Sequence, residues 1–390
     1  MTRTSATRRT LLRGCAGAAL VHAALPARAA VGPPVPGVDR DTLVVGQDIT
    51  LANGRNAYGQ EVQSGIKAML DELNRQGGVH GRRVVLRTLD DDNQGDKAEG
   101  NAQRLIDGGV FMLFGSIEGG PSTAVMRVAV QRQVPFFGPI AGSPELRRPH
   151  QPLVFPVRAE HRDEFRALVQ HAVSLGYQRV GLFHANSGTG KLHLESVQIV
   201  SREARAEVVS AVPFDGNITD EQLDAVVRQL AQQRTQVMLN HGSPAVYARL
   251  VRRAAQQGLR TRFMAVNSGS SQIAAALGPL AHGMVFAQVV PNPWSGKTAL
   301  AREYQGAFGR AFPGREFSYG SLEGYATARA LAAALERAGP QPTRTGFVNA
   351  LEAGPEIDLG GMRLSYRPGG HRGSAFVDLS MVNREGRFLQ

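Results

Sequence analysis

The sequence predicts an α/β protein made of two doubly wound parallel-sheet lobes, joined by a hinge that the chain crosses several times. Three observations carry this expectation. Short β-branched runs alternate with longer segments of helical period, the alternation pauses once and restarts, and three helices then follow one another with no strand between them. Alternation of this kind yields a mostly parallel sheet with helices on both faces. A pause and restart yields two such sheets. Three helices in a row make no α/β domain of their own, so they must return to an earlier sheet.

In the first series, 42–49 (TLVVGQDI) reads as a strand. Residues 59–76 read as a helix, because Val62, Ile66, Met69, Leu70 and Leu73 recur at spacings of three and four. Strand 83–89, helix 96–107, strand 111–115, helix 122–132 and strand 134–139 follow. The rhythm pauses at QPLVFPVRA and restarts with helix 162–175 and strand 179–185. Helix 190–204, strand 207–213, helix 220–233, strand 236–240 and helix 244–257 continue it, and strands 262–266 and 283–290 close it. The three consecutive helices are 297–311, 318–338 and 343–351, and the tail offers strands 362–366 and 375–382. The expected division is 40–157 with 291–353 for lobe 1, and 158–290 with 354–390 for lobe 2.

A chain of 390 residues is long enough for two buried cores. Residues 1–29 differ from the rest: Arg3, Arg8, Arg9 and Arg13 precede the apolar run 15–25, and Ala27-Arg28-Ala29 makes a small-x-small cleavage site. This is the pattern of an export signal, too short in its apolar part to span a bilayer. Arg8-Arg9 reads as a twin-arginine signal, the alternative being an ordinary secretory signal that holds two arginines. Either route leads out of the cytoplasm, to the periplasm. Cys15 is the only cysteine and leaves with the signal, which excludes disulfides and thiolate chemistry. Five arginines and no acid leave with it, so the formal charge of +11 falls to +6. The remaining charges are scattered singly among acids, unlike a nucleic-acid-binding face.

Catalytic motifs are missing. NSGTGKL (186–192) lacks the first glycine and the Ser/Thr of a phosphate-binding loop, since Ala185 and Leu192 occupy those positions. No G-x-S-x-G elbow or post-strand G-x-G-x-x-G occurs, and the ten histidines never take the H-E-x-x-H spacing. No cofactor and no metal site is expected. Asp90, Asp91 and Asp92 end a strand and precede the turn into a helix, where negative charge is favoured. They are expected to be solvated and helix-capping, the alternative being that they line a cleft mouth. Ligands of open parallel sheets sit beyond the carboxyl ends of the strands, so two such sheets place the site in the cleft between them.

The stretch YGQEVQSGIKAMLDELNRQGGVHGRRVVLRTLDDD, with its Tyr-Gly, helix, Asn-x-x-Gly-Gly-x-x-Gly, strand and Asp-Asp, resembles the opening of the leucine/isoleucine/valine-binding family. SLEGYATARALAAALERAGPQPTR is similar to the late helices of that family, and the resemblance runs from about Thr42 to Phe388. It implies a type I periplasmic binding protein, a monomer that closes on a small-molecule solute and delivers it to an ABC permease. By position, the resemblance places first-lobe contacts at Tyr58, in the turn holding Ser116, Gly119, Gly120 and Ser122, and at Ala141, Gly142 and Ser143. In the second lobe it points to Ser187 and Thr189, to His241 and to Asn267.

Amino-acid-binding members place an acid near the position of Asn267 and an aromatic near that of Thr189. A ligand ammonium enclosed without a carboxylate is costly. The expected solute therefore carries a carboxylate or amide and lacks the ammonium. Two rival readings are a sensor for a signalling partner and an α/β enzyme with a buried base near Ser116, Ser122 or His241.

Overall fold

The computed structural model describes residues 34–389; the predicted signal over 1–29 lies outside them. The first series forms β1 (Thr42–Ile49), α1 (Ala57–Arg75), β2 (Arg83–Asp90), α2 (Gly95–Asp107), β3 (Met112–Phe114), α3 (Gly119–Gln131), β4 (Phe136–Phe137) and β5 (Val154–Phe155). Its five strands pair in parallel in the order β2-β1-β3-β4-β5. From Leu43 onward β1 is buried throughout, as a strand covered by helices on both faces must be.

The second series forms α4 (His161–Ser174), β6 (Arg179–Ala185), α5 (Gly188–Glu203), β7 (Glu207–Phe214), α6 (Asp220–Gln232), β8 (Val237–His241), α7 (Pro244–Gln256), β9 (Arg262–Ala265), α8 (Ser270–Leu277) and β10 (Val285–Gln288). The third section holds α9 (Ala299–Ala311), α10 (Tyr319–Ala338) and α11 (Arg344–Ala353). After it come β11 (Ile357–Asp358), β12 (Arg363–Arg367), β13 (Gly370–Gly373), β14 (Asp378–Val382) and β15 (Phe388–Leu389). The second sheet runs β15-β14-β10-β9-β8-β6-β7 and is parallel except at β14, which pairs antiparallel with both β10 and β15. The sequence pattern does not flag α8. It starts on two serines and a glutamine, and its buried residues are Ser270, Ile273, Ala274 and Leu277.

The three late helices return to the first lobe, as their succession requires. There α10 lies directly on α1, with backbone against backbone. A Cβ on Gly65 would come 1.8 Å from the Ser321 carbonyl oxygen, and one on Gly324 would come 2.1 Å from that of Val62. Only glycine allows this approach, which brings Glu323 of α10 up to Tyr58 of α1.

One boundary is corrected. The expected second lobe takes all of 354–390, yet Ile357, Leu359, Met362, Leu364 and Tyr366 pack into the core beneath the first sheet. Tyr366 lies edge-on against Phe137 and Phe155 and donates to the Pro156 carbonyl at 3.0 Å. Only β14 and β15 join the second sheet, so the third crossing between lobes falls after β13.

The aspartate cluster is also corrected. Asp91 is fully buried and accepts from the Thr50 hydroxyl at 2.6 Å, while Asp90 accepts from the backbone N–H groups of Leu51, Ala52 and Asn53. These bonds shape the turn that leads to Asn56, whose side chain caps α1 by accepting from the Gly59 N–H at 2.9 Å. Backbone donors hold the Asp90 carboxyl down at about 2, against the opposing effect of burial. Behind it, buried Asp48 accepts from the Asn101 side chain at 2.6 Å. Burial first, and then the Asp91 charge, push the Asp48 carboxyl up to about 8.

Folded Asp48 thus keeps a proton that the unfolded chain releases near pH 4. Its contribution is complete below that pH and is lost as pH rises toward 8. Asp48→Asn keeps the geometry without the titration. In urea unfolding, its stability relative to wild type should increase between pH 5 and pH 8.5; a constant difference would show that Asp48 is ionised in the fold.

Candidate functional site

The first crossing between lobes carries Arg158, a guanidinium only 2% exposed. It donates to Glu164 of α4, and its Nη1 stands 3.4 Å from a carboxylate oxygen of Glu323 on α10. The other oxygen of Glu323 accepts from the Tyr58 hydroxyl at 2.8 Å and from the Asn267 side chain at 2.6 Å. Glu164 accepts from the Asn267 backbone N–H at 2.7 Å and pairs with His161 Nδ1 at 2.7 Å. One connected network therefore joins α1 and α10 of the first lobe to α4 and the turn after β9 of the second. Burial works against the charge on Arg158, but Glu164 and Glu323 outweigh it and raise its pKa further. Burial raises both carboxyls, and Arg158 pulls each back down.

Further contacts tie the lobes together, among them three made by side chains near the network. Gln272 donates to Glu61 at 3.0 Å, Thr189 donates to Glu145 at 2.7 Å, and Arg158 reaches the Ser268 hydroxyl at 3.4 Å. Between the lobes remains a cavity of about 40 Å³. Tyr58, Glu118, Gly119, Ile140 and Ala141 line it from the first lobe. His161, His241, Gly242, Val266 and Ser268 line it from the second. A roomier hollow of about 760 Å³ lies over β11–β13, away from this network.

Glu118 stands at the start of α3 with φ of +62°, a left-handed backbone rarely taken by a residue with a side chain. Burial raises its carboxyl, opposed by a hydrogen bond from the Asn56 side chain. This corrects the expectation drawn from Asn267: the cavity does contain a carboxylate, supplied by the first lobe instead of the second. An enclosed ammonium is not disfavoured here for want of a partner.

The expected contacts divide. Tyr58, Gly119, Ala141 and His241 line the cavity. Asn267 is buried in the network on Glu323 and Glu164. Ser122 donates toward the Ser116 hydroxyl and the Ile117 carbonyl, both at 3.2 Å, so these serines tie the turn before α3 to itself. Gly142 lies under His161, where a Cβ would come 2.6 Å from the ring. Ser143 is buried behind Gly119. Ser187 caps α5, Thr189 contacts Glu145, and Gly120 is exposed.

Sequence reasoning missed Glu118, Arg158, His161, Glu164 and Glu323. It also missed that His161, His193 and His241 converge: their rings lie 5.0, 4.6 and 3.7 Å apart in pairs. Burial lowers all three imidazole pKa values, and neighbouring positive or histidine groups lower them further.

Two crossed lobes with a small enclosed cavity define a solute receptor fold, and the comparisons agree. A family model described as "Periplasmic binding protein" matches residues 50–387, and the chain belongs to this family, in its leucine/isoleucine/valine-binding branch. The Leu/Ile/Val-binding protein BraC3 of Rhizobium johnstonii is 23% identical over 329 residues, covering 83% of this chain and 87% of that protein. An extracellular ligand-binding receptor from Verminephrobacter eiseniae superposes with a TM-score of 0.80 at 24% identity, covering 90% of this chain and all of the other. A fatty acid ABC transporter substrate-binding protein from Thermomonospora curvata also reaches 0.80, at 19% identity, covering 92% and 93%. The family consists of periplasmic binding proteins, not enzymes, which take small solutes and work with ABC transporter permeases.

Removing Arg158 leaves two buried carboxylates facing each other. Arg158→Met should destabilise the protein by about 3–5 kcal/mol at neutral pH. Denaturant unfolding measures this, and a loss under about 1 kcal/mol would mean that the network does not hold the lobes together.

Proposed function

We propose that the protein is the extracytoplasmic receptor of an ABC-type importer, closing its lobes on a small carboxylate- or amide-bearing solute and presenting it to a membrane permease. The observation that carries this reading is a cavity beside the carboxyl ends of β8 and β9, to which both lobes contribute, bounded by the network on Arg158. Only a ligand that binds the closed arrangement better than the open one can shift the balance between them. Here the closed arrangement adds His161, His241 and Ser268 to the contacts the first lobe already offers.

Glu118 and Tyr58 define what the first lobe can select. A solute N–H group, whether amide or ammonium, can donate to Glu118, while a solute oxygen can accept from exposed backbone N–H groups at the start of α3. Relatives whose names cite leucine-type or fatty acid cargo show one architecture serving solutes of different polarity. The cavity of about 40 Å³ favours the small end of that range. The sensor reading shares this geometry and differs only in the partner.

A thermal-shift screen of small carboxylates, amides and amino acids on mature protein, followed by calorimetry, tests the reading. At least one compound should bind, and Glu118→Gln should weaken it by roughly tenfold or more, the scale of one hydrogen bond to a charged group. Binding that Glu118→Gln and Tyr58→Phe both leave unchanged would place the solute elsewhere. Export by the twin-arginine route rests on Arg8-Arg9; changing both to lysine should stop export, and undiminished export would assign the ordinary secretory route.

A further inference from the structure

We propose that His161, His193 and His241 form a binding site for a divalent transition metal of the zinc class, with an open coordination position facing the cavity. The inference goes beyond solute capture and does not depend on it. The three side chains come from the first residue of α4, from α5 and from the end of β8, all in the second lobe. One nitrogen from each lies within 4.8 Å of the others. Tetrahedral zinc with bonds of about 2.0–2.1 Å requires separations of roughly 3.3 Å, so the rings would draw closer on binding.

The polar atoms point to a ligand. His193 is fully buried, and neither of its ring nitrogens has a hydrogen-bond partner among the described residues. His241 Nδ1 is buried without a partner as well. Burying such groups unpaired is unfavourable, and a metal ion would take up one nitrogen of His193 and one of His241 together. His161 already has the companion of a metal-bound imidazole: its Nδ1 donates to Glu164 at 2.7 Å, which leaves Nε2 free to coordinate. Three neutral imidazoles suit zinc, copper or nickel, and three protein ligands with one free position are the arrangement of open zinc sites.

The surroundings can accept the charge. Two guanidinium groups act on the cluster: Arg158, which is engaged by Glu164 and Glu323, and Arg147, which is offset by Glu160. His161 and His241 reach the cavity while His193 backs them. The open position therefore points toward the space that Glu118 shares. The other histidine grouping, His150, Glu352 and His371, lacks this signature, because both nitrogens of His371 are hydrogen-bonded to protein.

The test uses mature protein without an affinity tag, stripped by a chelator and titrated with Zn²⁺ by calorimetry and with Co²⁺ by visible absorption. One equivalent should bind, and Co²⁺ should show the intense bands of a four-coordinate site. His193→Leu removes two unpaired polar atoms, so it should fold with an unfolding midpoint at least equal to that of wild type. Its metal affinity should fall by roughly 100-fold or more. His371→Gln should leave affinity intact. Failure of wild type to bind either ion, or binding by His193→Leu equal to wild type, would overturn the site and leave the three rings as packing alone.

Discussion

The arrangement of the two lobes depends on a buried guanidinium. Arg158 stands where the chain first leaves the first lobe, and the carboxylates that neutralise it come from either side: Glu164 from the second lobe and Glu323 from the first. A buried charge cannot be left half paired without a large cost. Contact between the lobes is therefore coupled to the charge balance of one side chain, and Tyr58 and Asn267 extend that coupling to the cavity wall and to the turn after β9.

The first lobe prepares the other half of the site in layers. Gly65 and Gly324 let α10 settle on α1, which sets Glu323 against Tyr58. Asp90 fixes the turn before α1, and Asn56 then serves both as the cap of that helix and as a donor to Glu118. The aspartates thus act two steps behind the cavity, through backbone geometry, and not as groups of the cavity itself. In the second lobe the polar groups are neutral imidazoles in place of the carboxylate that amino-acid-binding members place there. The two walls differ in chemistry: a carboxylate and a phenol face two histidines.

Much of the fold was legible because its signals are local. Strands 42–49 and 179–185 match to the residue, since β-branched runs bounded by polar turns admit one reading. The return of the late helices followed from their having no strand to cover. The misplaced segment 354–376 shows the limit. Alternating residues such as Leu364 and Tyr366 announce a strand with one buried face, but not which of two cores receives it. The site was less legible for the same reason. Its turns could be located, yet Ser116 and Ser122 face inward for reasons of local hydrogen bonding, and Glu118 was passed over between Ile117 and Gly119. His161, His193 and His241 come from separate elements, so no spacing rule reaches them. Arg158 did leave a trace, as the one charged residue in the run PLVFPVRA.

The central claim is that the network around Arg158 keeps the lobes together, and small-angle scattering of Glu323→Ala measures it most directly. This variant leaves Arg158 paired with Glu164, so the fold survives while the tie from the first lobe is cut. The account predicts a larger radius of gyration for the variant than for wild type in the same buffer. Identical scattering curves would contradict it.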